Sequence, residues 1–184
     1  RYEVAVSFLS NALKEHLLRI PEDMKIKVNE VRLRIGQPVC LSLSGVDFFL
    51  KNGGGLVDSP FSDMLLCTEG DIKESFSSIC GYSVHAYQNE IKNGFVTLRG
   101  GHRAGFCGSA VFDENGRISN VKNISSINVR IAKEVVGCAD ELVRRVVGRT
   151  NSGVLIAGSP GSGKTTVIRD IARQLSNGVC GRPQ

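Results

Sequence analysis

The stretch Gly158-Ser159-Pro160-Gly161-Ser162-Gly163-Lys164-Thr165 constrains this chain more than any other. It fits G-x-x-x-x-G-K-[ST], the pattern of a phosphate-binding P-loop, or Walker A motif. Before it runs Val154-Leu155-Ile156-Ala157, a short apolar run that predicts a buried parallel strand. After it, Val167, Ile168, Ile171, Ala172 and Leu175 recur at helical spacing, so an amphipathic helix is expected there. Gly158, Gly161 and Gly163 allow the backbone to wrap an anion closely, with positive φ where the turn needs it. The N–H groups of the loop and of the helix N-terminus then aim partial positive charge at that anion. In this chemistry Lys164 reaches the β- and γ-phosphates and the Thr165 hydroxyl holds Mg²⁺. The expected ligand is ATP or ADP with Mg²⁺, bound by Gly158, Ser159, Pro160, Gly161, Ser162, Gly163, Lys164, Thr165 and Thr166.

The bulk numbers agree with a globular nucleotide-binding protein. Hydrophobic residues make up 41% of the 184 and charged residues 22%, an ordinary globular composition. No apolar run approaches the roughly 18 residues of a membrane span, and the first residues carry no signal-peptide pattern. The six cysteines (Cys40, Cys67, Cys80, Cys107, Cys138, Cys180) include no C-x-x-C pair and no zinc spacing. Five of them sit among apolar or small neighbours and read as buried thiols, which points to a reducing, cytoplasmic location. Charge is uneven. Residues 121–184 hold ten Lys/Arg and four Asp/Glu, net +6, whereas residues 1–120 hold thirteen and fourteen, net −1. A basic nucleotide-binding half suits polyphosphate, and also nucleic acid or an anionic membrane surface. A solvated helix face carrying Arg144, Arg145 and Arg149 accounts for it equally well.

Taken in order, residues 4–19 show helical periodicity closed by Pro21. Lys27–Ile35 alternates as a half-buried strand, and strands follow at Val39–Leu43 and Phe48–Leu50. Asn52-Gly53-Gly54-Gly55 reads as a loose loop. Thr68 is the expected N-cap of a helix to about Cys80, with Asp71 completing a capping box. A second helix is expected from Ser83 to about Lys92. Strands are expected at Phe95–Arg99, Arg103–Phe112, Arg117–Ile124 and Ile127–Ile131, with Asp113-Glu114-Asn115-Gly116 as a hairpin turn. A helix is expected over Cys138–Val147. The aromatic residues Tyr82, Tyr87, Phe95 and Phe106 read as core.

The fold class is therefore an α+β N-terminal domain with an antiparallel sheet (1–124), a linker (125–137), and the start of an α/β P-loop NTPase domain (138–184). Hydrolysis needs a further carboxylate to orient Mg²⁺ and a residue to position water. After Lys164 the sole acidic residue is Asp170, within the P-loop helix itself. The chain is accordingly expected to be an incomplete ATPase core, cut after the Walker A helix and inactive alone.

Three further blocks stand in order with the P-loop. They are Asn29-Glu30-Val31-Arg32-Leu33-Arg34-Ile35-Gly36-Gln37-Pro38, Gly94-Phe95-Val96-Thr97-Leu98-Arg99-Gly100-Gly101-His102-Arg103-Ala104-Gly105, and Asn128-Val129-Arg130-Ile131-Ala132-Lys133-Glu134. Together the four blocks resemble the stage III sporulation protein AA family of endospore-forming bacteria. That family is similar to the ATPases of type II and type IV secretion and pilus machines. The resemblance implies a motor ATPase, a hexameric ring in the full-length parent, and membrane-embedded sporulation channel proteins as partners, met on the inner face of a membrane. It also implies that arginines of the N-terminal domain act on nucleotide. Arg103 and Arg99, with Arg130, stand where such arginines are expected, and a guanidinium fork matches phosphate oxygens. His102 beside them reads as a turn residue.

Two other readings remain at this point. One is a nucleic-acid-binding P-loop protein such as a helicase loader or recombinase-like module; no base-stacking motif supports it, so no nucleic acid is expected. The other is a nucleotide-independent assembly domain that docks a membrane partner.

Overall fold

The computed structural model describes residues 1–60, 63–133, 135–146 and 153–178. It has two compact units, Arg1–Ala132 and Lys133–Gln184. The protein is mixed α/β: a seven-stranded antiparallel sheet with helices on one face makes the first unit.

The first unit opens with two short helices, α1 (Tyr2–Val6) and α2 (Asn11–Leu18), rather than the single helix that the periodicity of residues 4–19 predicts. The break has a local cause. The Ser7 hydroxyl donates back to Val4 O, and Ser10 turns extended (φ −56°, ψ 151°) to cap α2 through Leu13 N–H. After Pro21 comes one turn, α3 (Glu22–Lys25).

The strands follow: β1 (Val28–Arg34), β2 (Cys40–Leu43), β3 (Val46–Leu50) and β4 (Leu56–Val57). The helix α4 (Glu69–Ile79) has the capping box that its sequence announces, with Thr68 and Asp71 bonded reciprocally. A single 3-10 turn (Val84–Tyr87) leads into α5 (Gln88–Lys92). The sheet is completed by β5 (Phe95–Thr97), β6 (Arg103–Phe112) and β7 (Ile118–Arg130).

The strand order is β4-β3-β2-β1-β7-β6-β5, antiparallel throughout. Two meanders, distant in sequence, are therefore joined by the β1–β7 ladder, which sets Glu30 against Arg130 and Arg34 against Ser126. The stretches 117–124 and 127–131 are one strand of 13 residues, not two. A bulge near Gly108 absorbs the irregularity while Ser126 stays paired with both Cys107 and Arg34. Residues 125–130 thus belong to the sheet, not to a linker, and the first unit runs on to Ala132. Beyond Gly105 and Ser126 the β6–β7 hairpin leaves the sheet as a two-stranded arm. Its Asp113–Gly116 turn is closed by Asp113 Oδ1, which accepts from Asn115 and Arg117 N–H at 2.9 Å each.

One face of the sheet carries the core. Val28, Val31, Leu33, Leu41, Ile127 and Val129 alternate inward and meet Ala5, Leu13, Leu17, Ile72 and Ile79 from the helices. Phe76 of α4 meets Phe106 of β6 edge-on, ring centroids 5.1 Å apart. Of the aromatics read as core, Phe106 is buried and Tyr87 packs against the core, but Tyr82 is 78% exposed and Phe95 41%. Tyr82 lies in a positive-φ turn, and Phe95 points to the open face of the sheet. Cys67 and Cys80 are buried, and burial pushes their thiols up to about 12 and about 11. Cys107 and Cys138, by contrast, are exposed, Cys107 on an outward position of β6 and Cys138 in the turn just before residue 140; Cys180 lies outside the described residues.

The helices α2 and α4 are held together by a buried polar joint. Ser10 Oγ donates to Asp71 Oδ1 at 2.6 Å, Ser10 N–H donates to Ser75 Oγ at 2.9 Å, and Thr68 N–H and Oγ1 both donate to Asp71 Oδ2. Burial alone would push the Asp71 carboxyl up, but these hydrogen bonds outweigh it and hold it below the usual carboxylate range. A carboxyl depressed in the folded state stabilises above its unfolded value, and that contribution is lost as pH falls through the folded value. Asp71→Ala is expected to cost about 2–3 kcal/mol, since it strands the Ser10 and Thr68 donors. Urea unfolding at pH 7 measures this, and the difference from the parent should shrink at pH 3.

Candidate functional site

The second unit contains α6 (Asp140–Arg145) and α7 (Lys164–Ser176), with the glycine-rich loop directly before α7. The loop takes the conformation its glycines permit. Gly161 and Gly163 have φ of +78° and +85°, and Gly163 in the left-handed region delivers the chain into α7. Lys164, the first helical residue, turns back across the loop. Its Nζ donates to Gly158 O at 2.8 Å and Ser159 O at 2.6 Å, and lies 3.5 Å from Ser162 Oγ. Gly158 faces Ser162 closely: a Cβ there would stand 3.0 Å from Ser162 Oγ. Gly158 to Gly163 and Thr165 are exposed, and Thr166 is half-buried with its carbonyl accepting from Cys138 Sγ at 3.7 Å. An exposed loop at the head of a 13-residue helix, with an ammonium gathered to it, fits a phosphate group.

The apolar run before the loop does not form the expected strand. Residues 153–159 have no ladder partner among the described residues, and Val154 and Leu155 are 41% and 92% exposed. A parallel strand is made by its neighbours, and all seven described strands lie within residues 28–130. The helix after the loop forms as predicted, but its most buried residues are polar. Asp170 and Gln174 are buried, while Ile168 is 51% exposed.

The reason is a joint between α6 and α7. Asp170 Oδ2 accepts from Ala139 N–H at 2.9 Å, at the start of α6, and Oδ1 accepts from Arg173 Nε and Nη2 at 2.9 and 2.6 Å. Gln174 Nε2 donates to both Asp140 Oδ1 and Asp170 Oδ2. The Ala139 amide first, with Arg173 and Gln174, holds the Asp170 carboxyl far below the usual carboxylate range against the opposing effect of burial. Asp170 is thus a capping group for α6, engaged on both oxygens. Of the basic helix face, Arg144 is exposed and Arg145 pairs with Glu141, while Arg149 lies outside the described residues.

The candidate arginines lie in the first unit. Arg99 is exposed in the turn between β5 and β6, Arg103 is exposed at the first position of β6, and Arg130 is exposed at the last position of β7. Arg103 and Arg130 are directly opposite in register, and the Arg103 guanidinium lies over the Phe95 ring, 5.4 Å from its centroid. His102 is not a surface turn residue: it is fully buried, and its Nδ1 accepts from Ala132 N–H at 3.0 Å. Burial, with the positive charge at Arg1, holds the imidazole below its usual value. Alternation along β6 was the available signal, because it puts His102 on the face of Ala104 and Phe106. Among the described residues no cluster of His, Cys, Asp and Glu could hold a metal, and no helix is long and apolar enough to cross a membrane.

An antiparallel sheet covered by helices on one face, followed by a glycine-rich loop that opens a helix, defines a mixed α/β protein of two units. The sequence profile described as sporulation stage III, protein AA matches residues 1–181, and the chain belongs to that family. It is 36% identical over 170 residues to stage III sporulation protein AA of Bacillus subtilis (strain 168), an alignment covering 92% of this chain and 51% of that one. The chain thus spans about half the length of this relative. Among solved structures it is similar to the pilus retraction motor PilT with bound ADP (19% identity, 84% of this chain and 41% of that one, TM-score 0.49). It is also similar to the Legionella pneumophila ATPase DotB (16% identity, 82% and 38%, TM-score 0.41).

The α6–α7 joint makes a pH-dependent prediction. The Asp170 carboxyl is depressed in the folded state, so its contribution is present above the unfolded value of about 3.9 and lost as pH falls through the folded one. Asp170→Ala at pH 7 should speed amide exchange at Ala139 roughly tenfold, the signature of local opening. NMR-detected exchange reads it, and an unchanged Ala139 rate would contradict the joint.

Proposed function

We propose that this chain is the ATP-binding part of a motor ATPase that energises a sporulation channel or export complex. The observation that carries the reading is the loop itself: two left-handed glycines lead into α7, with the Lys164 ammonium gathered over the turn. Membership of the sporulation stage III, protein AA family supplies the biological setting. In this reading Lys164 Nζ would leave the carbonyls of Gly158 and Ser159 for the β- and γ-phosphate oxygens, a charge-assisted exchange. The loop amides from Gly161 to Thr165 and the N-terminus of α7 complete the cradle, with Ser159, Pro160, Ser162 and Thr166 shaping it. Thr165 Oγ1 would hold Mg²⁺, which would supply charge neutralisation at the phosphates.

Asp170 is committed to α6, so the carboxylate that orients the metal belongs to another part of the parent protein. Arg103, supported by Arg99 and Arg130, acts on the nucleotide of a neighbouring copy in a ring, in the cytoplasm against the inner face of a membrane. The exposed position of Arg103 supports this, as does the absence of a carboxylate partner for it among the described residues.

Two expected outcomes test the reading. Lys164→Ala should weaken ATP and ADP binding at least tenfold by calorimetry, with folding checked by circular dichroism; unchanged affinity would overturn the site. In the full-length protein, Arg103→Ala should lower turnover far more than nucleotide affinity. Arginines supplied in trans give on the order of 10³–10⁵ in rate in other phosphoryl-transfer systems. Mixing Arg103→Ala with Lys164→Ala subunits should restore part of the activity, because some interfaces then pair an intact loop with an intact arginine. No recovery in mixed rings would remove the trans role.

A further inference from the structure

The turn between β5 and β6 holds a buried histidine whose two nitrogens are in opposite situations. His102 Nδ1 accepts from Ala132 N–H at 3.0 Å. An accepting ring nitrogen carries no proton, so the proton of the neutral ring is on Nε2. That Nε2 is buried and has no hydrogen-bond partner among the described residues. It faces the Gly100 backbone so closely that a Cβ on Gly100 would stand 2.9 Å from it. A buried donor without an acceptor is costly, and an apolar side chain of similar size would fill the same space without that cost. Packing volume therefore does not account for the imidazole. Its acceptor nitrogen does.

What that acceptor holds is the end of β7. Ile131 N–H still donates to Asn29 O at 2.8 Å, whereas the next amide, Ala132, lies past the ladder and is taken by the ring. The backbone that carries the ring is fixed in the turn: Leu98 N–H donates to the His102 carbonyl at 2.8 Å, and Gly101 N–H to Leu98 O at 3.1 Å. Arg103 follows His102 directly, and Arg130 precedes Ala132 by two residues. These two arginines face each other across the β6–β7 ladder, and neither forms an ion pair with a described residue. Like charges in direct register push the strand ends apart. The buried bond from Ala132 to His102 pulls the same ends together, on the opposite face of the sheet.

We infer that His102 is a positioning residue that clamps the β5–β6 turn to the end of β7 and so fixes where Arg103 and Arg130 present their guanidiniums. The clamp itself stands on the geometry above; its consequence for catalysis rests on the reading of Arg103 as an arginine that acts on nucleotide.

Three variants separate the acceptor from the volume. In His102→Asn the amide oxygen reaches the place of Nδ1 and can still accept from Ala132. In His102→Gln the side chain reaches the place of Nε2 instead, and His102→Leu has no acceptor. In this chain, NMR-detected exchange at the Ala132 amide should rise roughly tenfold in the Leu and Gln variants and return close to the parental rate in Asn. In the full-length protein the Leu and Gln variants should lose turnover as Arg103→Ala does while binding nucleotide with parental affinity, and Asn should recover most of the turnover. If Leu does not fold, Gln carries the comparison. Parental exchange at Ala132 in Gln, or an Asn variant no better than Gln, overturns the clamp. An Arg103→Ala protein with parental turnover overturns the trans-arginine reading instead, and the Ala132 exchange rates still decide the clamp.

Discussion

The ladder between β1 and β7 makes the first unit a single object. Glu30 and Arg130, one hundred positions apart, sit side by side, and Val31, Leu33, Ile127 and Val129 descend from that seam into one core. On either side lie local pairings: β1 to β4 form one meander and β5 to β7 another. Each alone would leave the facing edge of β1 or β7 unpaired. The seam removes two edges at once and lets α4 and α5 pack over β7, in one core with residues of α1 and α2. It also sets Glu30 of β1 beside Arg130 at the end of β7, whose other neighbour, across the β6–β7 ladder, is Arg103.

Both units rely on a buried carboxylate to join helices where apolar contact is thin. Asp71 accepts from Ser10 and Thr68, and Asp170 accepts from Ala139, Arg173 and Gln174. In each case the acid lies inside one helix and satisfies an amide or hydroxyl at the start of another, so the joint fixes direction as well as distance. A greasy contact of the same area permits sliding; a carboxylate with two committed oxygens does not.

Much of this was legible in the residues. The Thr68–Asp71 box, the Asp113–Gly116 turn and the glycine loop before α7 are each set by local chemistry, which a sequence displays. The misreadings come from long-range contacts. Residues 125 and 126 look like a break until Arg34 and Cys107 are placed beside Ser126. Val154–Ala157 looks like a strand because it is apolar, but a strand is a relation between segments. Asp170 reads only as an acid within the P-loop helix until Ala139 arrives, and His102 reads as a turn residue until the turn is seen to press it beneath Gly100. Of the candidate site, residue types and loop conformation were visible in advance; the polar scaffolding behind them was not.

The β6–β7 arm has a practical consequence. From Ser109 to Lys122 its strands pair with each other alone, most of its side chains face solvent, and Phe112 and Ile118 meet across its tip at 62% and 40% exposure. Nothing in the core depends on the four turn residues 113–116. Chain added at an exposed tip of this kind is tolerated far better than chain added within a ladder. A short epitope or a fluorescent label placed between Glu114 and Asn115 would report on the assembled protein while leaving the sheet, the arginines and the glycine loop as they are.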